Sequence, residues 1–340
     1  MPVTGYRDHV LRVKLVAAFA AIYLLWGSNF LAIRYAAEAM PPFLMMAVRS
    51  LTAGALLFAW ARLRDGALPA PGHWPAAAAV GTLLFLGCHG LLAWAEQTVP
   101  SGVAALVLAT IPLWLTLLEW ASGGARPRGR TVLGLALGVL GLLVLIQPGP
   151  SHAAPLVGLL ALVLSAFAWA AGSILSRRLR VPPSVVLASG MQLLAGGTAL
   201  TVAGVALGEL PRVDVGVLAP RALLAFGYMV VAASLIGFTA YMWLLRVSTP
   251  ARVGTYAFVN PVVALVVGWG VGGESLDART FWASLVIVAG VALIVTAPRG
   301  AGGGVHDREG VERDDTVRAG RGVPGVPEAD RSGPVPRHAR

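Results

Sequence analysis

The sequence predicts an all-α integral membrane protein of ten transmembrane helices arranged as two inverted five-helix repeats, and three observations carry that expectation. The 340 residues are 57% hydrophobic and only 12% charged, with a mean hydropathy of +0.75, where an ordinary globular chain is about 25% charged. Apolar runs of about 20 residues, the length a helix needs to cross roughly 30 Å of hydrocarbon, recur along the chain. The second half repeats landmarks of the first with the charge of a matching loop reversed.

The apolar runs read as spans at 15–36, 43–61, 75–95, 101–121, 131–147, 155–176, 184–207, 221–245, 252–272 and 279–297. Lipid admits only helices or closed barrels, and these runs are too long and too unalternating for barrel strands. The first fourteen residues show no small-residue cleavage site after a short apolar core, so the first span reads as permanent. The predicted organisation is a cytoplasmic N-terminus (1–14), a first five-helix unit (15–147), a second (155–297) and a tail (298–340). The tail's Gly, Pro, Arg and acidic composition predicts disorder.

With both termini in the cytoplasm, the inner loops hold Arg7, Arg12, Lys14, Arg62, Arg64, Arg126, Arg128, Arg130, Arg177, Arg178, Arg180, Arg246 and Arg252. The outer ones hold only Arg34, Arg212, Arg221 and Arg279, so the positive-inside rule selects this orientation. The net charge of +10 therefore follows the membrane and not a nucleic acid.

Trp26, Pro41-Pro42 and Leu51-x-Ala53-Gly54 match Trp169, Pro182-Pro183 and Leu193-x-Ala195-Gly196. Further on, Trp94, Pro112, Trp120, Gly123-Gly124 and Gly141 match Trp243, Pro261, Trp269, Gly272-Gly273 and Gly290. Five spans per unit is an odd number, which turns the second unit upside down. Its loop GGESLDAR accordingly carries Glu274 and Asp277 where GGARPRGR carries three arginines. Secondary transporters are built this way, with a site near the midplane.

Cys88 is the only cysteine, which excludes an intramolecular disulfide and a multi-thiolate zinc site. No HExxH, GxSxG, Walker A or paired-carboxylate motif is present, so the sequence points to no catalytic residue, metal or cofactor.

Site candidates come from depth. Counting 1.5 Å per residue, Arg34 stands about 30 Å above Lys14 and reads as a snorkelling outer anchor. Asn29, Arg49 and His89 then share a level roughly 8–10 Å below the outer edge. An arginine at that depth costs a few kcal/mol unless it faces a wet cavity or a partner. Arg49 therefore reads as a cavity residue, with a structural cation bonded to helix carbonyls as the alternative. His89 is either a proton relay or a neutral histidine bonded between helices.

Glu96 and Gln97 fall at the outer rim, where the carboxylate meets Arg34 or Arg49 or is hydrated. Pro112 and Pro261 occupy equivalent positions and each remove a helix hydrogen bond. With Thr110, Asn260 and Tyr256 near them, they suggest kinks around a cavity, or packing alone. Trp26 opens the polar interruption of the first span beside Gly27 and Ser28, and Trp169, Gln192 and Tyr241 extend the candidate substrate-binding set into the second unit.

Four stretches, LLWGSNFLAIR, MPPFLMMAVRSLTAG, WAEQTVPSGVAALVLATIPLW and TYAFVNPVVALVVGWGVGGESL, in this order and duplication, resemble EamA-type transporters of the drug/metabolite transporter superfamily. The resemblance covers residues 15 to 297. It implies two inverted five-helix units, a central cavity, and efflux of small metabolites such as amino acids, or of toxic compounds. The family often closes the fourth helix of each unit with Gly-Glu; here the second unit keeps Gly273-Glu274 while the first has Gly124-Ala125.

The resulting expectation is a multi-pass inner-membrane exporter working by alternating access. Its partners are a small-molecule substrate and the lipid bilayer, with proton coupling open and no sequence signal for oligomeric state. An uncoupled facilitator or channel is the alternative reading, and a membrane-embedded enzyme or receptor a weaker one.

Overall fold

The computed structural model describes residues 3–66, 68–123, 126–127, 129–146, 155–213, 219–248, 253, 255–274 and 278–296. These lie within one compact unit, Met1–Gly300. The tail expected to be disordered lies outside the described residues. All regular structure among the described residues is helical.

Helix α1 runs Val3–Ala37, starting well before the expected span and carrying Arg12 and Lys14 within it. Helix α2 spans Pro42–Asp65, with its proline in the first turn, where no N–H partner is missed, and Gly66 at φ +58° ending it. The buried carboxylate of Glu209 accepts from the amides of Phe43 (3.3 Å) and Leu44 (2.9 Å), closing the helix start.

Helix α3 (His73–Ala95) passes through a π-helical stretch, Thr82–Gly90, and α8 (Pro220–Val247) through another, Met229–Phe238. Helix α4 (Ser101–Ala121) is interrupted at Ala109–Thr110, between segments Ser101–Leu108 and Ile111–Ala121. The remaining elements are α5 (Arg130–Ile146), α6 (Leu156–Arg178), α7 (Val185–Ala206), α9 (Tyr256–Gly270) and α10 (Ala278–Val295), with a 3₁₀ turn at Leu210–Arg212.

Seven of these, α1 to α4 and α6 to α8, are long and apolar enough to cross a membrane. The spans expected at 131–147, 252–272 and 279–297 appear as shorter apolar stretches, Arg130–Gly141, Val259–Gly270 and Ala278–Ile294. The outward faces are oily, as lipid requires: on α9, Val262, Val266 and Trp269 are exposed while Asn260 and Ala264 are buried.

Helix α2 packs on α7, α5 on α10, α1 on α9 and α8, and α6 on α3 and α4. Small residues set the closest approaches, the usual device where lipid supplies no hydrophobic drive between helices. A Cβ on Gly134 would stand 2.5 Å from the Gly290 carbonyl oxygen, and one on Gly81 would stand 2.3 Å from that of Gln192. Rigid backbone cannot yield to either.

Gly81→Ala should therefore push α3 off α7 and cost about 1–3 kcal/mol, read as a lower thermal midpoint of the purified protein. Gly227→Ala, into open space, should leave that midpoint unchanged or raise it.

Candidate functional site

The polar interruption of α1 now has a geometry. Gly27 lets α1 meet α9, since a Cβ there would lie 2.6 Å from Val263 Cβ. Ser28 bonds the Tyr228 hydroxyl at 2.6 Å. Trp26 and Asn29 turn to the other side and line a cavity. Trp26 Nε1 donates to the Ala233 carbonyl at 3.1 Å, and its ring fits against α8 because position 237 is glycine: a Cβ there would stand 2.5 Å from Nε1.

Five further helices complete the wall. Arg49 comes from α2, Cys88 and His89 from the π-helical stretch of α3, Trp169 from α6, and Tyr256, Asn260 and Pro261 from α9. Phe30, Leu92 and Ala257 fill apolar parts of it, and α4 contributes Ala105, Leu108, Ala109 and Ile111. An aromatic cluster forms one end. The Trp26 ring lies 5.6 Å from Trp169, 5.0 Å from Tyr241 and 5.6 Å from Tyr256, and His89 lies 5.5 Å from Trp169.

Arg49 is 3% exposed. Its Nε donates to Ser234 Oγ at 2.9 Å and Nη1 approaches the sulfurs of Met46 (3.4 Å) and Met229 (4.0 Å). No carboxylate comes within 4 Å of it among the described residues. A guanidinium away from bulk water with neutral partners only keeps its charge available to an anion entering the cavity. Near it, Asn29 Oδ1 is buried without a donor. Asn260 ties α9 to α1: with its amide oriented as the neighbouring carbonyls require, the nitrogen donates to Ile22 and Tyr23 oxygens at 3.1 and 3.2 Å.

Pro261 acts through the main chain: it lacks the N–H that would bond the Ala257 carbonyl four residues earlier, and Ala257 lines the cavity, whereas Pro112 falls in a first turn, where no such bond is missed. Pro261 itself lines the wall inside a continuous helix, whereas Pro112 sits behind it, in the first turn of the restarted segment of α4.

Several expected site residues lie elsewhere. Gln97 is exposed beyond the end of α3, because the helix stops at Ala95 and the chain turns. The Thr110 hydroxyl is spent on the Val107 carbonyl at 2.6 Å. Gln192 is fully buried against α3, both side-chain polar atoms lacking a partner, and does not reach the cavity. Tyr241 stands one layer back, stacked on Trp26 and Trp169.

Glu96 is bonded to no arginine among the described residues: it is 1% exposed and both its oxygens lack a protein partner. Arg34 is no free anchor, since Nη1 pairs with Glu274 at 2.6 Å. Glu274 also accepts from Ser101 N (3.0 Å), Ser101 Oγ (2.6 Å) and Gly102 N (3.2 Å), capping α4. Sequence reasoning missed that role, since the Gly-Glu pair marks the residue but not its partners; the counterpart Gly124-Ala125 lies outside the described residues. Cys88, also missed, lines the wall next to His89 and accepts from Ser165 Oγ at 3.3 Å.

The profile of the EamA-like transporter family matches residues 14–147 and 156–296. A relative in Escherichia coli (strain K12), named "Uncharacterized inner membrane transporter YedA", is 37% identical over 287 residues, 83% of this chain and 90% of its own length. Another from the same organism, named "Probable amino-acid metabolite efflux pump", is 24% identical over 81% of this chain and 92% of that protein. A solved crystal structure superposes with a TM-score of 0.60 at 25% identity, covering 84% of this chain and 97% of that one.

Because a buried guanidinium with neutral partners opposes folding, Arg49→Leu should raise the thermal midpoint of the substrate-free protein, by about 1 kcal/mol or more. Differential scanning fluorimetry in detergent checks the sign; a lower midpoint would mean that Arg49 is a structural tie.

Proposed function

Because the chain belongs to the EamA-like transporter family, we propose that it is a secondary transporter of the inner membrane, exporting a small amphipathic metabolite with a carboxylate group by alternating access. The observation that carries this reading is Arg49, buried at the cavity wall without an anionic partner among the described residues. A carboxylate would receive its remaining N–H donors, and the apolar part of the substrate would lie against Trp26, Trp169 and Tyr256. Asn29 Oδ1 offers an acceptor for an amino or hydroxyl group. An amino-acid-related cargo also agrees with the name of one relative.

Ten spans in two inverted units fit the packing. Under the internal repeat, the α1–α9 contact corresponds to α6–α4 and the α1–α8 contact to α6–α3, while α2–α7 and α5–α10 each map onto themselves. The π-helical stretches Thr82–Gly90 and Met229–Phe238 fall at matching positions, as do Pro112 and Pro261. Charged contacts agree with cytoplasmic termini. Arg34, Glu274, Ser101, Glu38 and Arg221 join ends assigned outward. Arg246 with the Pro182 and Pro183 carbonyls, and Arg130 with Thr296, join ends assigned inward.

Rocking one unit on the other would expose the cavity to each side in turn. His89, in the wall beside Trp169, is the group nearest the substrate through which proton coupling would run.

Counterflow in proteoliposomes with a panel of labelled amino acids and related hydroxy and keto acids tests the reading. One or more carboxylate compounds should accumulate saturably, and Arg49→Gln should lower the initial rate about 10–100-fold, the value of a charge-assisted contact of about 1.5–3 kcal/mol. Uptake unchanged in Arg49→Gln removes the carboxylate role. With imposed proton gradients, a flux that ignores pH in both wild type and His89→Gln removes coupling through His89.

A further inference from the structure

Among the described residues, the end of the bundle assigned outward holds a cluster of ion pairs with one further carboxyl group beside it. Arg34 on α1 meets Glu274 at 2.6 Å and Glu38 at 3.5 Å, and Glu38 reaches Arg221 on α8 at 3.0 Å. Two cations and two carboxylates balance. Glu96, at the end of α3, is a third carboxyl; it is buried, both its oxygens lack a partner, and the charges acting on it are those of Glu274 and Arg34. Ionised there it would be an undischarged buried anion; protonated, it leaves the cluster neutral. Burial first, and the charge of Glu274 second, hold this carboxyl well above the usual carboxylate range.

Glu274 is the part of the cluster that spans elements. It follows Gly273, at φ +65°, just past the end of α9, and clasps both Arg34 on α1 and the first amides of α4. If the segment bearing it withdraws, Arg34 loses its strongest partner, and Glu96 is a carboxyl without a partner among the described residues on which the charge of Arg34 already acts.

We propose that Glu96 is the proton-binding group of an outer latch: it keeps its proton while Glu274 holds Arg34 and α4 together, and replaces Glu274 as the partner of Arg34, releasing that proton to external water, when the latch opens. This rests on the alternating-access reading above and adds its control from outside. In opening, the Glu96 O–H bond breaks and its proton passes to water, the Arg34–Glu274 pair separates, Glu274 becomes hydrated and an Arg34–Glu96 pair forms. Closing reverses each step. The closed form is the proton-bound form, so external acid favours it and rising pH releases it.

The test follows the outer distance directly and needs no substrate. Full-length protein with Cys88→Ser and nitroxides at Ala39→Cys and Val271→Cys, both exposed positions, is placed in nanodiscs and measured by double electron–electron resonance. Between about pH 5 and about pH 9 the ratio of long to short distances should rise, by up to about tenfold per pH unit, the limit for one linked proton. Glu96→Gln, which cannot ionise, should keep the short distance throughout.

A wild-type distribution that does not change with pH, or a response that survives Glu96→Gln, overturns the proposal. Arg34→Ala separates the two levels of the argument. If it opens the outer end while the wild type ignores pH, the latch role of Glu96 falls alone; if it never yields the long distance, alternating access at this end falls and takes the latch with it.

Discussion

Hydrocarbon offers a polar group no partner, and the arrangement of this molecule follows from that single deficit. Every main-chain amide must be answered from within a helix, so the described chain is helical. Helices cannot be drawn together by apolar surface alone where the solvent is equally apolar, so contacts such as Gly134 on Gly290 and Gly81 on α7 rely on backbone proximity. Where the helical pattern fails in α3, at the interruption of α4 and at Pro261, residues of the cavity wall stand at or beside the failure, whereas the π-helical stretch of α8 supplies none of them.

The cavity and the outer cluster use charge in opposite ways. Around Glu274 four donors converge, Arg34, the Ser101 hydroxyl and the Ser101 amide on Oε1 and the Gly102 amide on Oε2, which fastens three elements at one carboxylate. Arg49 is left with neutral neighbours, a serine hydroxyl and two thioethers. The first arrangement contributes rigidity. The second leaves a buried guanidinium without a compensating charge among the described residues, on helices that are fixed by packing elsewhere.

Depth along a continuous helix was readable from sequence, and it brought Asn29, Arg49 and His89 to a common level before any coordinates; all three line the cavity. Azimuth was less readable. Gln192 is at a plausible depth but is buried away from the cavity wall, and Tyr241 falls one layer behind Trp26. The π-helical stretches add a residue without the usual rise, so a face followed up α3 or α8 changes phase midway. Gln97 and Thr110 failed for a different reason, because each adjoins a helix end or break whose local hydrogen bonding absorbs polar groups. Glu274 was visible as part of a Gly-Glu pair, yet its work is to cap a helix some 170 positions away, a relation with no trace in local pattern.

Pro261 gives the cavity wall a property that its side chains do not. The Ala257 carbonyl is left without a helical donor because Pro261 has no hydrogen to offer it, and both residues belong to the wall. Such an acceptor survives replacement of the side chain that carries it: alanine can drift to another residue and the oxygen stays in place. Arg49, Asn29 and the aromatic rings can be retuned one codon at a time, while this backbone component is inherited with the proline.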